Sequence, residues 1–316
     1  MKIGVIGAGS WGIALACICA RRSRVGQKET LLYSNAPLLS QEINEHNTVS
    51  AIFPGISLPK NIFCTNQLED LVTCDMLIIA TPAAAFLSII NALREINIPK
   101  ETAILIASKG LCSGPVRLFS NALEDLAFEN IYGFISGPSF AKEVVEGRIT
   151  SLTITSKDLN FAANISQELA TETILCEISD DVITVQIASI IKNIAAIQAG
   201  ILRAKKSGEN EMAALIAIAL EDIRNISNHF GGKADSLSLS AVVGDLALTC
   251  YNSTSRNASF GAKWYESGYD AKFLRHYPIL VEGVNSAILL QEFLDQHKIT
   301  SKFCHLIEKI AQKIRD

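Results

Sequence analysis

An apolar run at the head of the chain, Lys2–Ile6, leads straight into Gly7-Ala8-Gly9-Ser10-Trp11-Gly12, and a stretch of helical character follows from Ile13. No other part of the sequence constrains the fold as strongly. Gly7 lets the backbone turn sharply out of a strand. Gly9 has no Cβ, so a pyrophosphate can approach the main chain. Gly12 lets the following helix pack closely on a sheet. The free amides of that helix's first turn then face the phosphates. Glycines in this order, between a strand and a helix, point to a dinucleotide rather than to a simple turn.

The rest of the first half suits that opening. Thr30–Tyr33, Leu77–Ala80, Ala103–Ala107, Ile131–Ile135 and Leu152–Thr155 read as further strands, separated by helical stretches and by an irregular connection at Val49–Asn61. Alternation of this kind predicts an α/β fold with a Rossmann-like, doubly wound parallel sheet. From about Asp180 the pattern changes. Val182–Leu202, Glu211–His229, Ala241–Tyr251, Leu280–Gln296 and Ser301–Ile314 read as helices with no strand between them. The expected organisation is a dinucleotide-binding domain at 1–180 and an all-α substrate and catalytic domain at 181–316.

Composition narrows the function. With 49% apolar and 19% charged residues in 316, a disordered chain is excluded and two cores are affordable. A net charge of −4 lacks the basic footprint of a nucleic-acid binder. The short run Arg21, Arg22 and Arg24 reads as compensation of the first helix's dipole. Met1 leads directly into the first strand, so no export signal is expected, nor a membrane-spanning segment. Eight scattered cysteines without a C-x-x-C pair read as free thiols in a reducing cytoplasm, and their spacing supports no metal site.

Strand two ends in Ser34-Asn35, where an acidic residue would bond a ribose 2′-hydroxyl. Neither side chain repels a 2′-phosphate, and neither holds one, so NAD and NADP both stay open. Ser108-Lys109-Gly110 follows a strand, which places Lys109 at the ligand-binding edge of a sheet or simply in a solvated loop. Ser136-Gly137-Pro138-Ser139-Phe140-Ala141 follows another, with Ser139 placed to cap a helix from Phe140. Lys192 interrupts an apolar helix beside a thin polar stripe of Gln186, Ser189 and Asn193. Buried, it would lose solvation and become a proton-transfer group; alternatively its head reaches water. Gly244-Asp245 and Ser253-Thr254-Ser255-Arg256-Asn257 offer a hydroxyl acceptor, a guanidinium fork and neutral donors, or else a capped hydroxyl-rich loop.

Taken together, these clusters resemble the bacterial NAD(P)-dependent glycerol-3-phosphate dehydrogenase family. The likeness runs in order through Gly7–Ala16, Ser108-Lys109-Gly110, Gly137–Val144, Lys192-Asn193, Gly244–Leu246 with Thr249-Cys250, Ser255-Arg256-Asn257 and Val281-Glu282-Gly283. The resemblance implies nucleotide contacts from Gly7, Gly9, Ser10, Trp11, Gly12, Asn35, Lys109, Ala141, Arg256 and Glu282. It implies a substrate pocket of Lys109, Gly137, Ser139, Asp245, Ser255, Arg256 and Asn257, with Lys192 as catalytic proton donor or acceptor. The implied reaction is hydride exchange between NAD(P)H and dihydroxyacetone phosphate, which supplies glycerol 3-phosphate for phospholipid synthesis. A homodimer is a family-level expectation. The chain departs from the family pattern at Gly208-Glu209-Asn210, at Ala217-Ile218-Ala219 in place of Thr-Arg-Gly, and at Ser240–Val243. Two other readings follow: a related hydroxy-acid dehydrogenase, or a degenerate NAD(P)-binding sensor or scaffold without turnover.

Overall fold

The computed structural model describes residues 1–22, 29–253, 255–278 and 281–315. Arg24, Thr254 and Leu280, named above, lie outside them. The described chain resolves into two compact units, Met1–Ser108 with Leu123–Asp180, and Lys109–Ala122 with Asp181–Asp316.

The first unit is built on one eight-stranded sheet. In chain order its strands are β1 Ile3–Ile6, β2 Thr30–Tyr33, β3 Ile62–Thr65, β4 Met76–Ile79, β5 Ala103–Ile106, β6 Tyr132–Ser136, β7 Thr150–Thr155 and β8 Ile174–Ser179. Their order in space is β3-β2-β1-β4-β5-β6-β7-β8. The chain therefore runs outward from β1 and then crosses back to β4. The strand order reverses between β1 and β4, the position where open α/β sheets bind ligands at the carboxyl ends of their strands. β1, β4 and β5 are buried at every residue, as parallel strands covered on both faces must be. Burial of Ile3, Val5, Ile78 and Leu105 with the apolar face of the helix Ser10–Arg21 forms the first core.

Two strands escape the sequence reading, β3 and β8. Both lie at sheet edges, and each leaves residues exposed (Phe63 in β3, Leu175 and Ile178 in β8), so neither shows a continuous apolar run. One pair also departs from the expected parallel sheet, since β7 returns antiparallel to β6. The connection between them holds a single short helix, Ala141–Val145.

The basic residues that end the first helix divide their work. Arg22 donates to Cys19 O of its own helix at 2.7 Å and pairs with Glu168 at 3.0 Å, as dipole compensation requires. Arg21 does not: its guanidinium donates to Val144 O and Val145 O, capping the carboxyl end of the helix Ala141–Val145. That helix has only five residues, and its last carbonyls need donors from elsewhere.

The second unit is helical. Its axis is Val182–Ala204, whose N-cap Asp181 accepts from the amides of Ile183 and Thr184. This helix is long and apolar enough to cross a membrane, but 89% of the relevant window is buried inside the protein. Around it lie Glu209–His229, Asp245–Tyr251, Arg256–Glu266, Ala271–Arg275, Glu282–His297 and Cys304–Arg315. Close packing is bought with glycine. A Cβ on Gly200 would stand 1.9 Å from Ala258 O, and one on Gly261 would stand 2.1 Å from Ile197 O. The expected helix Ala241–Tyr251 is in fact two pieces, a π-helical turn at Ser240–Gly244 followed by Asp245–Tyr251. Periodicity cannot show such a wider turn, and π turns concentrate at functional sites.

Candidate active site

In the first unit the glycine loop has the shape its sequence implies. Gly7 adopts φ +111°, and a Cβ there would meet Ala80 O at 2.8 Å. A Cβ on Gly12 would lie 1.7 Å from Gly7 O, so close packing forbids any other residue. Gly9 differs, because a Cβ there would have no protein atom within 4 Å. Nothing in the fold requires its missing side chain; what the absence leaves open is access to the main chain. The helix Ser10–Arg21 begins at Gly9 without a side-chain cap, so its first amides are free to bond phosphate. Trp11 Nε1 is buried and has no hydrogen-bond partner. An uncapped helix start, an open glycine and an orphaned indole N–H fit a dinucleotide's phosphates.

At the end of β2, Ser34 turns inward. Its Oγ accepts from Ala36 N at 3.1 Å, and its carbonyl accepts from Asn66 Nδ2 at 2.7 Å. Asn35 is exposed, so the neutral residue stands where a carboxylate would otherwise select the ribose. After β6, a Cβ on Gly137 would lie 2.3 Å from Ser151 O, which gives this glycine a packing reason of its own. Ser139 does not cap the next helix. Its Oγ donates to Gly137 O at 3.0 Å, and the N-cap position falls on Phe140. The helix starts one residue later than expected, at Ala141, and that leaves the hydroxyl out of reach of its amides.

In the second unit the sequence-predicted polar residues converge. Lys192 is 8% exposed, so its head does not reach bulk water. Its Nζ donates to Asp245 Oδ1 at 2.9 Å, while Lys109 Nζ donates to Asp245 Oδ2 at 2.7 Å. One carboxylate thus joins two lysines from distant parts of the sequence. Thr249, one turn after Asp245, donates to Asp245 O at 2.6 Å and stands 3.5 Å from Lys192 Nζ. Burial acts first on each group and the three charges act on one another. Lys192 is pulled down to about 8 by desolvation, with Lys109 adding to the drop and Asp245 opposing it. Lys109 would also fall on burial, but the Asp245 charge and hydrogen bond lift it above the ordinary lysine range. Asp245 would rise on burial, yet the two lysines hold it below the usual carboxylate range. Glu282, the first residue of its helix, lies close enough to act on both lysines. The result is one lysine kept charged and a second poised to give or take a proton near neutral pH.

Beside the lysines runs a chain of amides. Gly283 N donates to Asn257 Oδ1 at 3.0 Å, and Asn257 Nδ2 donates to Asn193 Oδ1 at 3.0 Å. Asn193 Nδ2 is buried without a partner. Ser255 occupies the N-cap position of Arg256–Glu266, and its side chain makes no cap bond. Arg256 opens that helix, exposed and without an ion pair among the described residues. Sequence reasoning gives no separate role to Asn193, Thr249 or Gly283. Only the four-residue spacing of Asp245 and Thr249 could have signalled one of them. The rest of the polar stripe is structural: Gln186 serves Ser120 N, Ser120 Oγ and Val182 O, and Ser189 Oγ donates to Gln186 O. Among the described residues no group of His, Cys, Asp and Glu is arranged to hold a metal.

Similarity to known proteins extends over both units. Residues 2–162 match the model of the NAD-dependent glycerol-3-phosphate dehydrogenase N-terminus, and residues 181–316 match that of its C-terminus. A protein of Rickettsia bellii described as glycerol-3-phosphate dehydrogenase [NAD(P)+] is 38% identical over 301 residues, covering 94% of each chain. Its counterpart in Rickettsia typhi is 36% identical, covering 94% of this chain and 93% of its own. The crystal structure of glycerol-3-phosphate dehydrogenase from Coxiella burnetii superposes with a TM-score of 0.89 at 29% identity, covering 99% of this chain and 94% of the other. The chain belongs to the NAD-dependent glycerol-3-phosphate dehydrogenase family.

Proposed function

We propose that the chain catalyses reversible hydride transfer between NAD(P)H and C2 of dihydroxyacetone phosphate, yielding sn-glycerol 3-phosphate for phospholipid synthesis. One observation carries the reading: Lys192 is buried against Asp245 with its proton held loosely, at about 8. A ketone accepting hydride develops an alkoxide that needs a proton, and a lysine with that affinity can deliver it at neutral pH. In the reverse direction neutral Lys192 takes the hydroxyl proton.

The first unit would hold the nucleotide, through Gly7, Gly9, Ser10, Trp11, Gly12, Asn35 and Ala141; the second would bring Lys109, Lys192, Asp245, Arg256 and Glu282. The bound reduced nicotinamide supplies the hydride. Lys109, kept charged by Asp245, stabilises negative charge as it develops on the substrate oxygen. Asp245 holds both ammonium groups and fixes their spacing. Arg256, without an ion pair among the described residues, offers its guanidinium for the substrate phosphate, with Ser255 and Asn257 beside it as neutral donors; the family resemblance adds Gly137 and Ser139 of the first unit as substrate residues. Binding the phosphate contributes energy remote from C2, which serves to orient the reacting carbon. Exposed, neutral Asn35 accommodates both NAD and NADP. A cytoplasmic setting suits the eight free cysteines.

The test is the choice of substrate. Oxidation of NADH or NADPH with dihydroxyacetone phosphate, and none with unphosphorylated dihydroxyacetone, supports the proposal. Equal rates with both would overturn the phosphate clamp.

A further inference from the structure

Three lysines, one of them far in sequence from the other two and none with a carboxylate partner among the described residues, come together on the helical unit. Lys205 follows the helix Val182–Ala204, while Lys309 and Lys313 lie on the helix Cys304–Arg315. Two tyrosines hold the first two. Lys205 Nζ sits 5.6 Å from the centre of the Tyr265 ring, and Lys309 Nζ sits 3.2 Å over that of Tyr269. The rings meet edge to face, with centroids 5.7 Å apart. Tyr269 reaches this place in a left-handed backbone conformation, φ 61°, which a residue with a Cβ adopts only when its surroundings impose it. Its ring also leans edge-on against buried Trp264, at 5.1 Å.

The lysines are close enough to repel one another. Burial, then Lys205 and Lys313, hold Lys309 below the ordinary lysine range. Among the described residues none of the three forms an ion pair. Glu266 and Glu308, their acidic neighbours in sequence, make none with them either. Lys205 and Lys313, at the carboxyl ends of two helices, are each favourable there, whereas Lys309 lies mid-helix. That does not account for two helix ends brought together, nor for aromatic platforms that fix two ammonium groups while leaving their outer N–H bonds free.

We propose that Lys205, Lys309 and Lys313, set on the Tyr265–Tyr269 pair, form a binding site for a phosphate-bearing anion, separate from the Lys192 site. A phosphate carries the charge and the acceptor oxygens to bridge several ammonium groups, and its arrival relieves their mutual repulsion. Two sources offer this chemistry, an anionic phospholipid headgroup and a soluble phosphate.

The experiment uses the full chain and separates the two sources. Sedimentation with vesicles of phosphatidylglycerol and phosphatidylcholine is compared with pure phosphatidylcholine, and calorimetric titration with inorganic phosphate is run alongside. The probe variant is Lys205→Gln/Lys309→Gln/Lys313→Gln. The control variant, Lys100→Gln/Lys142→Gln/Lys157→Gln, removes the same charge from exposed lysines that are already paired with Glu129, Glu146 and Glu124. Loss of about fivefold per lysine, on the order of 100-fold in all, is expected in the probe variant, while the control stays within about twofold of wild type. Both variants are expected to keep wild-type turnover and melting temperature. Binding in the vesicle arm alone assigns the headgroup, and binding in the phosphate arm alone assigns the soluble ion. Binding in neither arm, or equal loss in probe and control, overturns the proposal.

Discussion

Replacing Asp245 with asparagine tests the electrostatics of the lysine pair. The substitution keeps the side chain's size and removes the charge that both lysines share. Asp245 Oδ1 stands 2.9 Å from Lys192 Nζ. At an effective dielectric of about 20, unit charges roughly 4 Å apart attract by about 4 kcal/mol. An interaction of that size is worth about 3 pH units in the titration of Lys192. The Lys192 titration, about 8 in the native protein, is therefore expected to fall to roughly 5 in Asp245→Asn. The assay is the pH dependence of kcat/KM in both directions. Oxidation of glycerol 3-phosphate needs neutral Lys192, so its acidic limb moves from about 8 down to roughly 5 in the variant. Reduction of dihydroxyacetone phosphate needs protonated Lys192, so at pH 7 the variant loses about 100-fold from proton supply alone. A variant whose limbs stay near their original pH, whatever its residual rate, would refute the assignment of Lys192 as the titrating group.

Two further outcomes follow from the same geometry. Gly9→Ala is expected to leave the melting temperature unchanged and to weaken NADH binding at least about tenfold, because its Cβ enters only the space where phosphate approaches. Gly12→Ala drives a Cβ into Gly7 O, so it is expected to cost several kcal/mol of stability (about 1–3 or more) in urea unfolding. Equal stability losses in the two variants would contradict the distinction. The native state also holds Lys192 at about 8 against 10.5 for an ordinary lysine. Between those values the unfolded chain binds the extra proton, so Lys192 adds stability as pH rises across that window, while the buried thiols, raised above 9.0, subtract it above about 9; below about 8 the Lys192 contribution is flat. The raised Lys109 acts only above the ordinary lysine value, and the lowered Asp245 acts only in acid. Urea denaturation between about pH 8 and 9, in wild type and Lys192→Met, checks this: wild type should gain stability relative to the variant as pH rises.

What could be read from the sequence followed from how strongly each residue is constrained locally. The glycine loop announced itself, because each glycine meets a steric demand within a few residues. The central strands did as well, since burial on both faces leaves only apolar side chains. Edge strands β3 and β8 did not, because a half-covered strand mixes exposed and buried residues. The helical unit was legible in its long helices, but the π turn before Asp245 depends on packing, not on period. Within the site, Lys192 could equally have been a surface lysine with its head in water. What decides the matter is a partner 53 residues away, and a second lysine 136 residues from that carboxylate. Local pattern carries no information on such a contact. The family resemblance supplied it, by placing Lys109, Lys192 and Asp245 in one ordered set. Arg21 and Ser139 show the converse: both had a plausible local role, and both are used elsewhere.

The central claim is that Lys192 exchanges the proton in a glycerol-3-phosphate dehydrogenase reaction. It is tested most directly by initial rates of NADH and NADPH oxidation with dihydroxyacetone phosphate, in wild type and in Lys192→Ala. Turnover in the wild type that falls by a factor of about 10²–10⁴ in the variant, with nucleotide binding retained, is the predicted result. Nucleotide binding without turnover in the wild type, or turnover that survives Lys192→Ala, would contradict it.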